Sequence, residues 1–343
     1  MTYRPTSIDV AAMAGLSQAT VSRVLNGSAL VSARARHRVM EAARQLNYKV
    51  DIHASKLRSK KAHGLEVVVV KDIGNEYGLI NPFFVPMIAE IVRYAGQKGY
   101  EVTVSFQDEV GAGMPYRCTG KPAAATIFLA PKDFEAYSRI NHGDDHWVVW
   151  GRQFADFRTS CVVSDNEKGA RDAVRHLVGQ GRKRIAYLGK FTGEQWEFAE
   201  RHLGYCQALH DAGLSLDERL QVDCVLSMDG GTAAVQHLLD ASVAFDAIFA
   251  ATDVLGIGAM RALTAHGLKI PDDVAIIGFD DLWICNTITP RLSTVRQNTI
   301  AAAHVLVDSA EALLEGDTPA TTKIPTELVI RDSSDSQRNS KAA

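Results

Sequence analysis

The chain reads as a small all-α head joined to an α/β body of two lobes, each lobe a parallel sheet covered by helices on both faces. Three observations predict this. DVAAMAGLSQATVSRVLNG (residues 9–27) holds two short helical patterns separated by a glycine and a serine. Charge is sharply divided: through Lys61 there are 11 Lys and Arg against 3 acidic residues (+8), whereas the remainder holds 26 basic and 37 acidic residues (−11). From Leu65 onward, apolar strand-like runs alternate with helical ones, the mark of parallel sheets built with crossover helices.

In the head, Val10, Ala11 and Ala14 share one face of a first helix. Gly15 can take the left-handed conformation that ends it, Leu16 plugs the turn, and Ser17 is a good N-cap for the next helix. There Val21, Val24 and Leu25 recur at i, i+3 and i+4 and face inward. Gln18, Ala19, Ser22 and Arg23 are left outside. A third helix from Ser32 to about Asn47–Tyr48 carries Val39, Ala43 and Leu46 at helical spacing. Three short helices around one small core make a helix-turn-helix domain, residues 1–49. In that geometry the second helix enters the major groove by its N-terminal end. Gln pairs bidentately with adenine, Arg with guanine, and a small Ala touches a thymine methyl. Thr20, Ser22 and Asn26 suit phosphates, which fix register without reading sequence. A basic head on an acidic body points to a polyanion partner for the head alone. The bland alternative is a solvated charged surface on a helix pair of another purpose, and the polar outer face argues against it.

The run ATVSRVLNG, followed by VS, NY and a basic LR segment, resembles the headpiece of the lactose-repressor (LacI/GalR) family of bacterial transcription regulators. The resemblance spans DVAAMAGLSQATVSRVLNGSALVSARARHRVMEAARQLNYKVDIHASKLRS. It implies major-groove contacts from Gln18, Ala19 and Arg23 and phosphate contacts from Thr20, Ser22 and Asn26, with Ser17 on the same DNA-contacting edge. Residues 50–61 match the family's hinge helix, which forms when a dimer sits on its operator. Leu57 stands where the family wedges a leucine into the central base step from the minor groove, bending the duplex. Val50-Asp51 replaces the usual Pro-Asn; Asp51 can still cap the helix.

In the body the elements run in order LEVVVV, a helix from about Phe83 to Lys98, YEVTVSF, AATIFLA and HWVVW. Past CVVSD come a helix to Gln180, RIAYLG, a helix to Ala212, LQVDCV, a helix to Leu239, AIFAA, a helix to His266, and VAIIGFD. Two such runs, split near residues 161–163, predict two sheets with a cleft between them. Ligands of such sheets bind at the carboxyl ends of the strands. VVSDNEKGARDAVRHLVGQGRKRIAYLG, ATDVLGIGAMRALTAHGLKIPDDVAIIGFDD and PRLSTVRQ extend the family resemblance through the body. They imply a type I periplasmic-binding-protein-like fold, with crossings between lobes near Cys161, Arg291 and Thr322. The N-terminal lobe is then 62–161 with 291–322, the C-terminal lobe 162–290 with 323–333, and 334–343 a polar tail. Where the family has a full helix, EVGAGMPYRCTGKP (109–122) is broken by glycine and proline.

The same resemblance implies an effector site of Phe83, Phe84, Gln195, Glu197, Arg201, Thr252 and Asp280. Arg201 grips the ligand and Asp280 accepts its hydroxyls; Thr252 stands where many relatives have Asn. Each has a plainer reading: a core ring for Phe83, an internal salt bridge for Arg201, a capped turn for Asp280. Aromatics mixed with Arg, Asp and Glu suit a polyhydroxylated ligand. A sugar or sugar acid comes first, a nucleobase or nucleoside second.

No GxSxG, HExxH or GxxxxGK[ST] motif occurs, so no enzyme is expected, and no cofactor. His142 and His146 flank two aspartates without a third ligand cluster nearby, so no metal is expected. Five scattered cysteines without a CxxC pair fit reduced thiols. With neither a signal peptide nor a membrane span in the pattern, the expectation is a bacterial cytoplasmic regulator. Its partners are a pseudo-palindromic double-stranded DNA operator, a small-molecule effector and a second copy of the chain. The tail lacks leucine heptads, which predicts a dimer. The competing class is a solute-binding or sugar-processing protein with an incidental head.

Overall fold

The computed structural model describes residues 5–25, 31–46, 64–71, 81–108, 123–129, 146–151, 159–191 and 196–335. They belong to two compact units, Met1–Ala62 and His63–Ala343. No described helix is long and apolar enough to cross a membrane.

The head holds α1 (Ser7–Ala14), α2 (Gln18–Leu25) and α3 (Ala33–Gln45). Thr6 and Asp9 cap α1 reciprocally, side chain to backbone in both directions, which satisfies two amides that the first turn cannot. Gly15 ends the helix in the left-handed region, φ 59° and ψ 40°. Ser17 Oγ then accepts from the Thr20 amide at 3.2 Å and opens α2, and Ser32 does the same for α3 through Ala35. Val10, Ala11, Ala14, Val21, Val24, Val39, Ala42 and Ala43 form the buried core, flanked by Leu16, Val31 and Leu46. The spacing therefore identified the inward face. The Leu25 side chain, Asn26 and Leu57 lie outside the described residues.

The body begins with β1 (Gly64–Lys71), α4 (Phe84–Gln97), β2 (Glu101–Asp108), β3 (Ala125–Leu129), β4 (Trp147–Trp150) and β5 (Ser160–Ser164). Next come α5 (Asn166–Gly179), β6 (Ile185–Leu188), α6 (Trp196–Asp211), β7 (Gln221–Val222), α7 (Met228–Asp240), β8 (Ala247–Ala250), α8 (Asp253–Ala265), β9 (Ala275–Asp280) and β10 (Ser293–Gln297). The chain closes with α9 (Thr299–Glu315), β11 (Thr321–Ile324) and β12 (Thr326–Val329). One sheet has the order β11-β5-β4-β3-β1-β2 and the other β12-β10-β9-β8-β6-β7. ATIFL, IAYL and AIFA are buried along their whole length, as strands covered on both faces must be.

The strand pairing bears out the parallel sheets with one exception: among the described strands only β12 runs antiparallel, against β10. β5 and β10 both run toward a crossing and leave their lobes there. β12 enters its lobe from a crossing, one residue after β11 ends, and so runs the other way. The crossings fall at Asp165, Asn298 and Pro325, each a few residues beyond the expected Cys161, Arg291 and Thr322. VVSDN and VRQN stay in their sheets to the last apolar or bonded residue, and the polar residue after it caps the next helix. Asp165 accepts from the Lys168 amide at 3.4 Å and Asn298 from the Ala301 amide at 2.9 Å. Ser334 is also not part of a free tail: it is buried, its hydroxyl bonded to Ser293 Oγ at 2.7 Å and His176 Nε2 at 3.1 Å.

Helix pairs in the C-terminal lobe approach backbone to backbone through glycine. A Cβ on Gly204 of α6 would stand 2.2 Å from the Glu167 carbonyl oxygen of α5, and one on Gly258 of α8 2.0 Å from that of Met228 in α7. Neither obstacle is a flexible tip, so the helices must part to accept a methyl group. Gly204→Ala is expected to lower stability by about 1–3 kcal/mol, seen as an earlier urea midpoint. It lies one turn from Arg201, so it also tests how tightly that side chain is positioned.

Candidate functional site

On the head, Gln18, Ala19, Ser22 and Arg23 are exposed along one side of α2, as the spacing predicts. Thr20 is half-buried, and its hydroxyl lies 2.9 Å from that of Ser17. Ser17 therefore holds the start of α2 rather than standing free. A short helix offers its polar face and its N-terminus outward, with no acidic residue in its first turn.

In the body, three of the expected effector residues come together at the carboxyl ends of the C-terminal-lobe strands. Arg201, on α6, is 4% exposed. Its Nε donates to Asn166 Oδ1 at 2.9 Å and its Nη1 to the Ala251 carbonyl at 2.6 Å. The guanidinium carbon lies 3.8 Å from the centre of the Phe279 ring, and Nη1 is 3.6 Å from Asp280 Oδ1. Asp280 ends β9 and takes a further bond from Gln297 Nε2 at 2.6 Å. Burial pushes the Asp280 carboxyl above the ordinary carboxylate range; Arg201 and Gln297 oppose this, and nearby Glu197 adds to it. Glu197 and Arg201 sit one turn apart on α6, so a single helix face brings an acid and a base to the same place.

Asp280 and Asp281 both have positive φ, 118° and 58°. Asp tolerates the second value, but the first lies where residues with a Cβ are strained, by about 1–3 kcal/mol. Five bonds fix the turn. The Asp281 amide donates to Thr294 Oγ1 at 3.3 Å and the Leu282 amide to Asp253 Oδ2 at 2.7 Å. Thr294 Oγ1 in turn donates to Asp253 Oδ1. Arg296 Nε and Arg331 Nη2 each meet one oxygen of Asp281 at 2.6 Å. The signatures ATD, GFDD and STVRQ, far apart in sequence, thus meet around one strained turn.

Asp253 is fully buried. Burial first, and Asp280 second, push its carboxyl upward. An acid whose folded-state pKa is raised binds more protons folded than unfolded, so stability rises as pH falls from above neutrality toward the ordinary carboxylate range. Unfolding midpoints are expected to be higher near pH 6 than near pH 8, and Asp253→Asn should flatten that difference. An unchanged slope in the variant would place the dependence elsewhere.

The remaining expected residues are divided. Thr252 caps α8, its hydroxyl accepting from the Leu255 amide at 3.3 Å, so that oxygen is already engaged. Phe83 and Phe84 begin α4 in the other lobe, 6% and 8% exposed, their rings edge to face with centres 5.1 Å apart. Phe83 also lies 6.0 Å from Trp150, the last residue of β4. Asn81 fixes this turn, its Oδ1 accepting from the Phe83 amide at 3.0 Å. Gln195 lies outside the described residues. Asn166, Gln297, Asp253 and Trp150 were not singled out from sequence. The usable signal was a polar or aromatic residue at, or within three residues of, a strand's carboxyl end, where ligands bind.

A model of a periplasmic binding protein-like domain matches residues 174–334, and one of bacterial regulatory proteins of the lacI family matches residues 8–51. The chain is 29% identical to the HTH-type transcriptional regulator CelR of Thermobifida fusca, over 96% of this chain and 98% of that one. It is 30% identical to the "Probable HTH-type transcriptional repressor ExuR" of Bacillus subtilis (strain 168), over 95% of this chain and 97% of that one. A solved complex of the transcriptional regulator CelR with cellobiose superposes with a TM-score of 0.70 at 27% identity, covering 96% of this chain and all of that one. Head, body and their order are those of the relatives along nearly the full length. The chain belongs to the lacI family of bacterial regulatory proteins and is a helix-turn-helix transcriptional regulator.

Proposed function

We propose that this regulator represses from a pseudo-palindromic operator as a homodimer in the bacterial cytoplasm, and that a sugar or sugar derivative sets its operator affinity. The effector lies between Glu197, Arg201 and Asp280 of one lobe and Phe83, Phe84 and Trp150 of the other. The observation that carries this is the buried Arg201–Asp280 pair, held from behind by Asn166 and Gln297. A fixed fork of donors beside a fixed acceptor suits vicinal hydroxyls, and ring faces suit the apolar side of a sugar. Cellobiose in the solved CelR complex is a ligand of this chemical class. Gln195 completes the effector set, and Thr252 caps the helix that follows β8 instead.

On the DNA side, Gln18, Ala19 and Arg23 read base edges, Ser17, Thr20, Ser22 and Asn26 contact phosphates, and Leu57 wedges the central step. The protein catalyses nothing; its output is a change in DNA affinity. Effector control requires a sugar that binds the DNA-competent and incompetent states with different free energies. The test is fluorescence anisotropy with DNA from upstream of the protein's own gene at two salt concentrations, followed by a panel of neutral and acidic sugars and nucleosides. Binding that falls steeply with salt yet exceeds that to scrambled DNA is expected, with release or tightening by one sugar. A response to nucleosides alone would replace the sugar reading.

A further inference from the structure

One contact on the head is not needed to cap either of the helices it joins. Gln18, first residue of α2, donates from Nε2 to Ser7 Oγ, first residue of α1, at 3.2 Å. Both helix starts are capped by other residues, Thr6 with Asp9 and Ser17 with Thr20, so this bond is not needed to begin either helix. Gln18 is exposed, and among the described residues nothing else engages its amide.

The chemistry of that amide decides what it can read. A glutamine carries one acceptor oxygen and two N–H donors on a single nitrogen. Adenine offers an N6 donor and an N7 acceptor in the major groove, so it needs the oxygen and one N–H. Guanine offers two acceptors, O6 and N7, and needs two N–H groups. With one N–H already given to Ser7, the amide keeps the pair that matches adenine and lacks the second donor that guanine requires.

We propose that Ser7 is a specificity-determining positioning residue: its hydroxyl occupies one N–H of Gln18 and so makes the recognition helix prefer adenine over guanine at one operator position. The inference rests on the placement of Gln18 against base edges given above. Ser7 acts through Gln18 and is not itself the reader.

The full-length protein, Gln18→Ala, Ser7→Ala and Ser7→Thr are each used to select from a random double-stranded DNA library, and base preferences are compared position by position. Gln18→Ala identifies the position that glutamine reads, as the one whose preference collapses. The expected result is adenine at that position for the starting protein. Ser7→Ala is expected to lower the adenine-to-guanine ratio there by about tenfold, within what one bidentate contact discriminates, with cytosine and thymine still rejected. Ser7→Thr, which keeps a hydroxyl, is expected to restore the ratio. A merely structural role for Ser7 would weaken all positions together. Ser7→Ala with an undiminished adenine preference, or guanine at that position in the starting protein, overturns the proposal while leaving Gln18 as the reader. If Gln18→Ala alters no position, the placement of the recognition helix falls as well.

Discussion

Arg201→Ala is expected to abolish the sugar response while operator binding persists. The guanidinium gives donors to Asn166 and to the Ala251 carbonyl and stands beside Asp280, almost wholly out of water. Truncating one partner of a buried, hydrogen-bonded charge pair costs about 2–5 kcal/mol of binding, which puts effector affinity down by a hundredfold or so. Part of that loss is the price of leaving Asp280 and Asn166 unpaired, so the variant should also unfold more easily, by about 3–5 kcal/mol at the upper end. Arg201→Lys retains charge but not the planar fork, and is expected to lose most of the response as well. The head is a separate unit with its own core, and its contacts with DNA are untouched. Anisotropy with operator DNA, with and without the responding sugar, reads both quantities. A full response of the variant at the wild-type sugar concentration would show that Arg201 serves the fold of the lobe only.

The second large effect is on the other side of the molecule. Arg23→Ala is expected to cost about 1–3 kcal/mol of operator binding through the loss of one bidentate guanine contact, and to relax sequence preference at one base pair. Arg23 is exposed and makes no ion pair among the described residues, so removing it should change head stability by no more than about 0.5 kcal/mol. The salt dependence of binding should remain nearly the same, because that slope counts phosphates rather than bases. Arg23→Lys would keep the charge and lose the fork. Its specificity is therefore expected to resemble that of the alanine variant. A large fall in salt slope with intact sequence preference would instead make Arg23 a phosphate contact.

Much of this architecture is visible in the sequence because local rules and tertiary demands agree there. In the head, Thr6, Gly15, Ser17 and Ser32 each occupy a cap or turn where their chemistry is needed, and the inward spacing of Val10, Val21, Val24 and Val39 matches their burial. In the body, runs such as AIIGF can only be interior strands of a covered sheet. The crossings were less legible. Asp165 and Asn298 look like loop residues but act as caps after strands that continue to their very edge. The direction of β12 depends on which side of the lobe the chain enters, and no local pattern records that.

The effector site was legible in part for a similar reason. Arg201 and Asp280 are named by the resemblance to the LacI/GalR family, not by the local pattern around them. Asn166 and Gln297, which hold them, are ordinary polar residues whose importance arises only when strands distant in sequence are laid side by side. Thr252 shows the converse: the resemblance implies a ligand contact, whereas its hydroxyl already serves the helix that follows. Phe83 and Phe84 are mostly enclosed by their own lobe, so a ligand would meet only a small part of each ring.

In the proposed mechanism one sugar, bound in the body, changes how the head holds DNA. Coupling of this kind is reciprocal: if the sugar alters operator affinity by some factor, the operator must alter sugar affinity by the same factor. Isothermal titration of the responding sugar into the full-length protein, alone and saturated with its operator, measures that factor directly. Two different affinities are expected, separated by the factor found for DNA, about 5- to 150-fold for ordinary allosteric coupling. Equal affinities in the two titrations would mean that the body binds sugar without informing the head, and the account would be wrong.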